Sequence, residues 1–365
     1  MRLVELHVLQ SFPVTCLNRD DVGAPKSAYF GGVPRARVSS QCWKRAVRMF
    51  AKELDKSHFG GVRTRFLTEE LKKRLERCGV AAEDAEKAAG TIAKQLGGKE
   101  APRGETRTSV LLFFSPKELD TLAEAIAQQI AQGKMPELKA GDLKRYLEKK
   151  EIVPMDRADI AVFGRMVAND PSLTMEGAAL FSHAISTHEV ANDVDYFTAV
   201  DDLKGEETEG AGHLGVLEFN TACYYRYVGL NWDLFTEHLE GLEKQTLKDI
   251  LRMFLSSAIL AVPNARKNSM FGQTPPGYVL GLARTGQPLS LANAFEAPVP
   301  PRRGYLEPSY EAMKKHFELL KQVYKEPYAD RIRTEVWLSV APEEARPLVS
   351  LDDFIGQLVE GVAHE

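Results

Sequence analysis

The residues best suited to chemistry in this 365-residue chain are the cations between residues 19 and 52. Eight Lys or Arg residues stand there against two Asp residues, a local net charge of +6. A cationic loop followed by a cationic helix fits a phosphodiester backbone better than it fits a small metabolite. The sequence therefore predicts a phosphate-binding surface, with an ordinary solvated helix face as the alternative.

An amphipathic helix after residue 38 must position these cations. Ser39 or Ser40 is a suitable N-cap, because serine accepts hydrogen bonds from backbone N–H groups at a helix start. The N–H groups and dipole of the first turn would add an anion site. Two stripes follow at helical spacing: the apolar stripe is Trp43, Val47, Phe50 and Leu54, and the polar stripe is Gln41, Lys44, Arg45, Arg48 and Lys52.

Residues 189–218 carry the opposite charge. Nine acidic residues stand there against the single Lys204, a balance of −8. Residues 176–187 and 216–228 have strand-like composition, and the long Gly-rich stretch between them predicts a projecting hairpin or arm. We expect attraction between the acidic arm of one copy and the basic surface of another.

Composition limits the class of protein. The chain is 44% hydrophobic and 27% charged, which is enough for a sizeable core, and its net charge of −4 restricts any nucleic-acid binding to a local surface. The widely spaced Cys16, Cys42, Cys78 and Cys223 predict reduced, mostly buried thiols of a cytoplasmic protein. We expect no signal peptide and no membrane-spanning segment.

Periodicity predicts a first strand over residues 3–10 and a mainly helical insertion over residues 57–153. Within the insertion we expect helices over residues 68–78, 82–96, 117–132 and 141–150, and a buried strand over residues 109–114. Later elements are a long helix or broken pair over 232–260, strands over 277–283 and 334–340, and helices over 310–324 and 351–362. In the loop 263–270, Arg266 and Lys267 either neutralise a helix dipole or extend the phosphate surface.

The sequence carries no positive evidence for catalysis, a metal or a cofactor. It has no nucleophile elbow, phosphate-binding P-loop or dinucleotide fingerprint. The acidic arm lacks the spacing of a calcium loop, and His183 and His188 would lie on opposite faces of a strand. Two alternatives remain open: a metal-dependent ribonuclease with Asp201 and Asp202 as ligands, and an oligomeric scaffold that binds no RNA.

Short segments spread over nearly the whole chain carry a family resemblance. They are residues 3–9 followed by Ser11, CLNRD at 16–20, FGG at 30–32, RVSSQ at 37–41, KRA at 44–46, AVFGRM at 161–166, AISTH at 184–188, FTAVDD at 197–202, YRY at 225–227 and KNS at 267–269. Together they resemble the CasC family, the backbone subunits of the type I-E CRISPR surveillance complex Cascade.

The resemblance implies an α+β fold with three parts. A ferredoxin-like palm, related to the RNA-recognition motif, would comprise residues 1–56, 171–190 and 216–365. A large helical fingers insertion would span residues 57–170, and a thumb hairpin would project at residues 191–215. The strand over residues 109–114 is assigned to the fingers, with the palm as the alternative.

The function implied is non-catalytic, sequence-independent binding of the CRISPR guide RNA in the cytoplasm. Several copies would stack head to tail along the guide, beside other Cascade subunits. They would present bases for pairing with target DNA, and a separate helicase–nuclease would cut that DNA.

The matching motifs also imply site residues. The main RNA contacts would be Arg19, Lys26, Ser39, Gln41, Lys44, Arg45 and Arg48, and the further ones Arg165, Met166, Lys267 and Asn268. For Arg165 a structural ion pair is the alternative, and for Met166 a place in the core. Phe197 and Thr198 in the thumb would press on the RNA at each subunit boundary and displace a nucleotide from the stack.

Overall fold

A computed structural model describes residues 1–98, 107–139, 141–149, 154–199, 213–263, 265–340 and 348–364. The strands in these ranges are β1 Arg2–Thr15, β2 Ser27–Phe30, β3 Val33–Val38, β4 Val62–Thr64, β5 Leu112–Phe114, β6 Ala179–Phe181, β7 Ala184–Ser186, β8 Asp193–Ala199, β9 His213–Asn231, β10 Tyr278–Thr285 and β11 Ile332–Ser339. The α-helices are α1 Ser40–Leu54, α2 Leu67–Arg77, α3 Ala82–Gly97, α4 Pro116–Ala131, α5 Asp142–Lys149, α6 Ala158–Phe163, α7 Trp232–His238, α8 Lys244–Leu260, α9 Leu306–Val323 and α10 Leu351–Ala363. Short 3-10 helices occupy Pro154–Arg157, Pro171–Leu173, Ala292–Phe295 and Ala329–Arg331.

One large antiparallel sheet organises the strands. Its order is β11–β10–β1–β9–β7–β3–β2, and β6 and β8 also pair with β9. The central strand β1 pairs antiparallel with both β10 and β9, so that Val8 lies opposite Val279 on one side and Arg226 on the other. The mixture of helices and an antiparallel sheet confirms the predicted α+β class.

The chain forms two compact units. The first contains Met1–Phe50, Leu180–Trp232 and Phe254–Glu365, and the second contains Ala51–Ala179 and Asp233–Met253. The predicted insertion, residues 57–170, lies within the second unit, which extends beyond it. The second unit also contains residues 171–179 and 233–253, because an amphipathic pattern does not identify the core that it joins.

The two faces of the sheet in the first unit carry different layers. Tyr225 and Tyr227 of β9 join a core with residues of α9, including Tyr310 and Phe317. The intervening Arg226 points to the opposite face, where it meets Trp43 of α1. Alternation along β9 therefore places α1 and α9 on opposite sides of the sheet.

Arg226 is a buried cation that joins four elements of the first unit. Its guanidinium lies 4.3 Å from the ring centre of Trp43. It donates to the carbonyl oxygens of Ala258 and Ile259, at the end of α8, over 2.6 and 3.1 Å. It also donates to Gln10 Oε1 of β1 over 3.2 Å. Burial lowers the pKa of Arg226 to about 9, which leaves it charged at neutral pH.

The second unit has its own core. Helices α2, α3, α4 and α5 bury a cluster that includes Leu71, Ile92, Leu119 and Leu143. The strand β5 also lies here, because it pairs with β4 in a separate two-stranded sheet, with Phe113 opposite Arg63. The strand predicted over residues 109–114 therefore belongs to this unit and not to the large sheet.

Two predicted elements are interrupted in the structure. The strand predicted over residues 176–187 is broken into β6 and β7, because the Ser182 hydroxyl accepts the hydrogen bond of the Tyr227 N–H group over 3.0 Å. Residues 232–260 form two helices, α7 and α8, and not one long helix. Gly241 lies between these two helices with a φ of +93°, a conformation that glycine adopts readily. In the described ranges, no helix is long and apolar enough to cross a membrane.

Arg226→Met should destabilise the protein by about 3 kcal/mol, because two carbonyl groups and one amide would lose a buried donor. Arg226→Lys should also destabilise it, since an ammonium group cannot reproduce the planar contacts with Trp43 and three acceptors. The midpoint of urea unfolding measures both effects. The exposed Arg331 supplies the control, Arg331→Met, and equal midpoints for Arg226→Met and the control would contradict the role given to Arg226.

His7 lies on β1 in a second buried polar cluster. Its Nδ1 is 3.0 Å from the Tyr225 hydroxyl, and the side chain is fully buried. Burial lowers the pKa of His7 from 6.5 to about 3, helped by the positive charge of nearby Arg284. The folded protein therefore keeps this imidazole neutral where the unfolded chain would be protonated.

Stability should consequently fall as the pH falls from about 6 to about 4, by up to about 1.4 kcal/mol per pH unit from this residue alone. His7→Gln removes the titrating group and keeps a hydrogen-bonding side chain next to Tyr225. Unfolding free energies measured across this range should show a shallower pH dependence for the variant, by about one bound proton. Parallel curves for the two proteins would contradict this assignment.

Candidate nucleic-acid interface

The N-terminus of α1 is already capped by side chains of the first unit. Ser39 is 8% exposed, and its Oγ accepts the Cys42 N–H group over 3.2 Å. The Ser40 N–H group donates to His183 Nδ1 over 3.1 Å. These two N–H groups are therefore not available to an anion, contrary to the expectation of an anion site built on the first turn. Ser39 serves as the helix cap.

The loop before β2 is fixed against this helix start. Asn18 Oδ1 accepts the Ser39 N–H group over 2.9 Å, and the Asn18 carbonyl oxygen accepts the Lys26 N–H group over 2.9 Å. Asp20 closes the loop internally, because its carboxylate accepts the backbone N–H groups of Val22 and Ala24. The loop therefore holds Arg19 and Lys26 beside α1 on a backbone with several hydrogen bonds.

A groove of about 680 Å³ lies between this loop, α1 and the segment after α8. Arg19 enters it from the loop and Arg45 from the helix, while Pro263 and Ala265 form the third wall. Both arginines are exposed, and neither pairs with a carboxylate in the described part of the chain. Asp20 and Asp21 also line the groove, and the Asp20 carboxylate is held by N–H groups of its own loop. Three separate segments of sequence therefore meet at one groove that carries Arg19 and Arg45, which we call the cationic groove.

Two thiols beside the groove show how closely the cations converge. Burial raises the pKa of Cys16, and the charges of Arg266 and Arg19 oppose this rise. Burial likewise raises the pKa of Cys42, against the charges of Arg45 and Lys26. Cations from the loop, from α1 and from the segment after α8 are therefore close enough to act on buried groups. The two thiols remain protonated and unreactive at neutral pH.

The polar stripe of α1 continues from the groove along the helix. Gln41 is exposed, and Lys44 and Arg48 are partly exposed. The Lys44 ammonium group lies 5.6 Å from the ring centre of Phe181. Arg48 follows Arg45 by almost one helical turn, so the two guanidinium groups lie on the same side of the helix.

The C-terminal end of α1 differs from the two stripes predicted from the sequence. Lys52 donates to the carbonyl oxygens of Gly60 and Gly61, each over 3.2 Å, so its ammonium group has a structural role. Trp43 and Val47 are buried as predicted, but Leu54 is 51% exposed and Ala51 is buried. The apolar stripe of α1 therefore ends at Ala51 and not at Leu54, because the buried face rotates gradually along a helix with 3.6 residues per turn.

Comparison with known proteins places this chain in a family. The Cas_CT1975 family model, described as CT1975-like protein, matches residues 4–358. The chain belongs to the CT1975-like family of Cas proteins. It is similar to a solved chain titled "CRISPR RNA-guided surveillance complex, pre-nicking", with 30% identity over 99% of each chain and a TM-score of 0.81.

A second solved chain, titled "CRISPR RNA-guided surveillance complex", is 24% identical, with 99% of this chain and 98% of that chain covered and a TM-score of 0.62. At this identity the likeness concerns the fold alone. No curated protein matched the chain. The predicted kinship with CRISPR surveillance-complex subunits is therefore confirmed at the level of the family.

In this CT1975-like protein, Arg165 is buried in the second unit. Its side chain is 3% exposed, and its guanidinium donates to Glu118 Oε2 over 2.8 Å and to the Leu173 carbonyl oxygen over 2.8 Å. The structure therefore contains the ion pair that we gave as the alternative to an RNA contact for Arg165. In this position the guanidinium is not accessible to a phosphate. Met166 is 79% exposed and is not a core residue.

Lys267 and Asn268 lie exposed in the turn that follows Ala265. Arg266 begins this turn with a φ of +51°, and its carbonyl oxygen accepts the Met270 N–H group over 2.8 Å. Sequence reasoning left Arg266 undecided between a helix dipole and the phosphate surface. Its charge acts on Cys16, so the fold brings these two residues, distant in sequence, close together.

The predicted thumb is a hairpin of β8 and the first part of β9. Phe197 lies opposite Gly215, and its ring covers this glycine so closely that a Cβ atom there would overlap it. Phe197 is 38% exposed, while the Thr198 side chain lies outside the described residues. The aspartates proposed as ribonuclease ligands, Asp201 and Asp202, also lie outside them. Within the described ranges, no three His, Cys, Asp or Glu side chains could hold a metal ion.

Arg165→Met should destabilise the second unit by about 3 to 5 kcal/mol, because it leaves the Glu118 carboxylate buried without its partner. The neighbouring Met166→Ala changes an exposed side chain and should leave stability within about 0.5 kcal/mol. Urea unfolding monitored by circular dichroism compares the two variants. An undiminished midpoint for Arg165→Met would contradict a structural role for this ion pair.

Proposed function

We propose that this chain binds the backbone of a CRISPR guide RNA without regard to base sequence, as a CasC-type subunit of a type I-E complex. The two exposed arginines of the cationic groove, Arg19 and Arg45, carry this proposal, and Lys26 and Arg266 lie close enough to act on the neighbouring Cys42 and Cys16. The similarity to a chain from an RNA-guided complex supports it.

The chemistry of the groove favours phosphates over base edges. Arginine and lysine bind phosphate oxygens in any nucleotide, so contacts of this kind fix the path of a strand and carry no sequence information. The hydrogen bonds that Asn18 accepts from the Ser39 and Lys26 N–H groups hold the loop in place before RNA arrives. Such preorganisation lowers the entropic cost of binding.

The sheet supports a ferredoxin-like palm. Strands β1, β7, β9 and β10 alternate with α1 and α8 along the chain as β–α–β–β–α–β. Their order in the sheet is β10–β1–β9–β7, with the first and third strands of the motif central. This element order supports the proposal of a ferredoxin-like palm. The second unit would then supply the fingers, and the β8–β9 hairpin the thumb.

Several copies of the chain would assemble along one guide. The hairpin bears the acidic Asp193 and Asp195, and Val194, Tyr196 and Val216 are each more than half exposed. An acidic, partly apolar hairpin suits contact with a neighbouring copy better than contact with RNA alone. Other Cascade subunits, pairing of the guide with target DNA, and a separate helicase–nuclease in the cytoplasm complete the proposed setting.

We propose a non-catalytic role for the chain. A metal-dependent ribonuclease that uses Asp201 and Asp202 is the alternative. The second alternative is an oligomeric scaffold that binds no RNA. An affinity for single-stranded RNA that falls steeply with salt would exclude this alternative.

Replacing both Lys44 and Arg48 by Gln should weaken binding of a labelled oligouridine and reduce the slope of log K against log salt by about 1.4, or about 0.7 per lost phosphate contact. Fluorescence anisotropy over a salt series measures this slope. Lys73→Gln with Arg77→Gln is the matched control, because these exposed cations have the same four-residue spacing on α2.

Equal slopes for wild type, test variant and control would contradict phosphate binding by α1. The same mixtures with Mg²⁺ separate scaffold from nuclease. If the chain is a non-catalytic RNA-binding subunit, the RNA should remain uncut in the presence of Mg²⁺. Cutting by the wild type that is lost in Asp201→Ala would establish the enzyme instead.

A further inference from the structure

Two largely exposed aromatic rings lie on segments that continue from two walls of the cationic groove, one beyond the loop of Asn18 and the other beyond Ala265. Tyr29 is 83% exposed and Phe271 is 72% exposed. Neither ring contributes to a core of the first unit. Large exposed aromatic side chains next to a charged surface commonly mark a binding site, because one ring buries much area at little entropic cost.

Tyr29 lies on a hairpin that begins next to Lys26, whose N–H group donates to the carbonyl oxygen of the groove residue Asn18 over 2.9 Å. The Lys26 carbonyl oxygen accepts the Arg37 N–H group over 2.8 Å, which starts the pairing of β2 with β3. One residue beyond Tyr29, the Phe30 carbonyl oxygen accepts from Arg35 Nε over 3.1 Å. Arg35 is fully buried and also donates to the Ser186 carbonyl oxygen over 3.0 Å. The backbone around Tyr29 is therefore fastened to the sheet.

Phe271 stands on the other side, directly after the turn that contains Arg266. The next residue, Gly272, packs so closely on the Thr15 side chain that a Cβ atom would overlap it. The Thr274 hydroxyl donates to the Ser11 carbonyl oxygen over 2.7 Å, which fixes the segment to β1. Thr15 directly precedes Cys16, where the charges of Arg266 and Arg19 meet.

We propose that Tyr29 and Phe271 are stacking platforms for nucleobases of the RNA held in the cationic groove. This inference rests on the proposed function and adds a second type of contact to it. Every base has a π face, so stacking on an aromatic ring keeps recognition independent of sequence. A base of the bound strand that lacks a stacked neighbour would gain a stacking partner in an exposed ring.

Leucine substitutions isolate the stacking contribution, because leucine keeps apolar bulk and lacks a π face. Tyr29→Leu and Phe271→Leu should each weaken binding of oligouridine by about 5-fold or more, without changing the salt slope. Tyr29→Phe retains the ring and should bind like the wild type. RNA that carries 2-aminopurine should show quenched fluorescence with the wild type and with Tyr29→Phe, and less quenching with the leucine variants.

The outcomes distinguish this inference from the proposed function. If the wild type binds no RNA, the proposed function fails and the inference with it. If the variant with both Lys44→Gln and Arg48→Gln loses salt-dependent binding while both leucine variants keep full affinity and quenching, only the stacking role is overturned. If the leucine variants bind RNA normally but self-associate less without RNA, the rings contact another copy, and the inference is wrong. Circular dichroism spectra and unfolding midpoints confirm that all variants fold.

Discussion

The position of α1 depends on one buried cation, Arg226. Its guanidinium joins Trp43 of α1 to Gln10 of β1 and to the C-terminal carbonyl groups of α8. A guanidinium suits this position because its flat face can lie against the Trp43 ring while its edge carries several N–H donors. Since Trp43 forms the buried side of α1, the contact also sets the direction of the opposite, cationic side. The geometry of the proposed RNA surface therefore depends on a residue that cannot touch RNA.

Arginine serves two purposes in this protein, and burial separates them. Arg35, Arg165 and Arg226 are buried, and each donates to at least one backbone carbonyl group of a segment distant in sequence. Arg19 and Arg45 are exposed and lack carboxylate partners in the described part of the chain. A buried cation is stabilised by several acceptors, whereas an exposed cation keeps its potential for a ligand. The first group builds the surface that the second group uses.

The local charge balance also explains how a chain with a net charge of −4 could bind a polyanion. Cations are concentrated at the groove and on α1, while the thumb hairpin and the residues near it are acidic. A strand of RNA would be drawn to the groove, and the acidic hairpin would favour the cationic surface of another copy. Opposite charges on separate surfaces of one chain favour repeated head-to-tail contacts over random aggregation.

The sequence by itself determined the α+β class, the approximate positions of most helices and strands, the capped start of α1 and the concentration of cations on it. These features depend on periodicity, capping chemistry and charge, which are local in the chain. Only the tertiary structure decided that Arg165 and Lys52 are structural, that residues 233–253 join the second unit, and that Arg266 and Arg19 both lie near Cys16. It also decided that Tyr29 and Phe271 remain exposed. The physical reason is that burial and long-range partners arise from packing between distant segments, and no local pattern encodes which segments will meet.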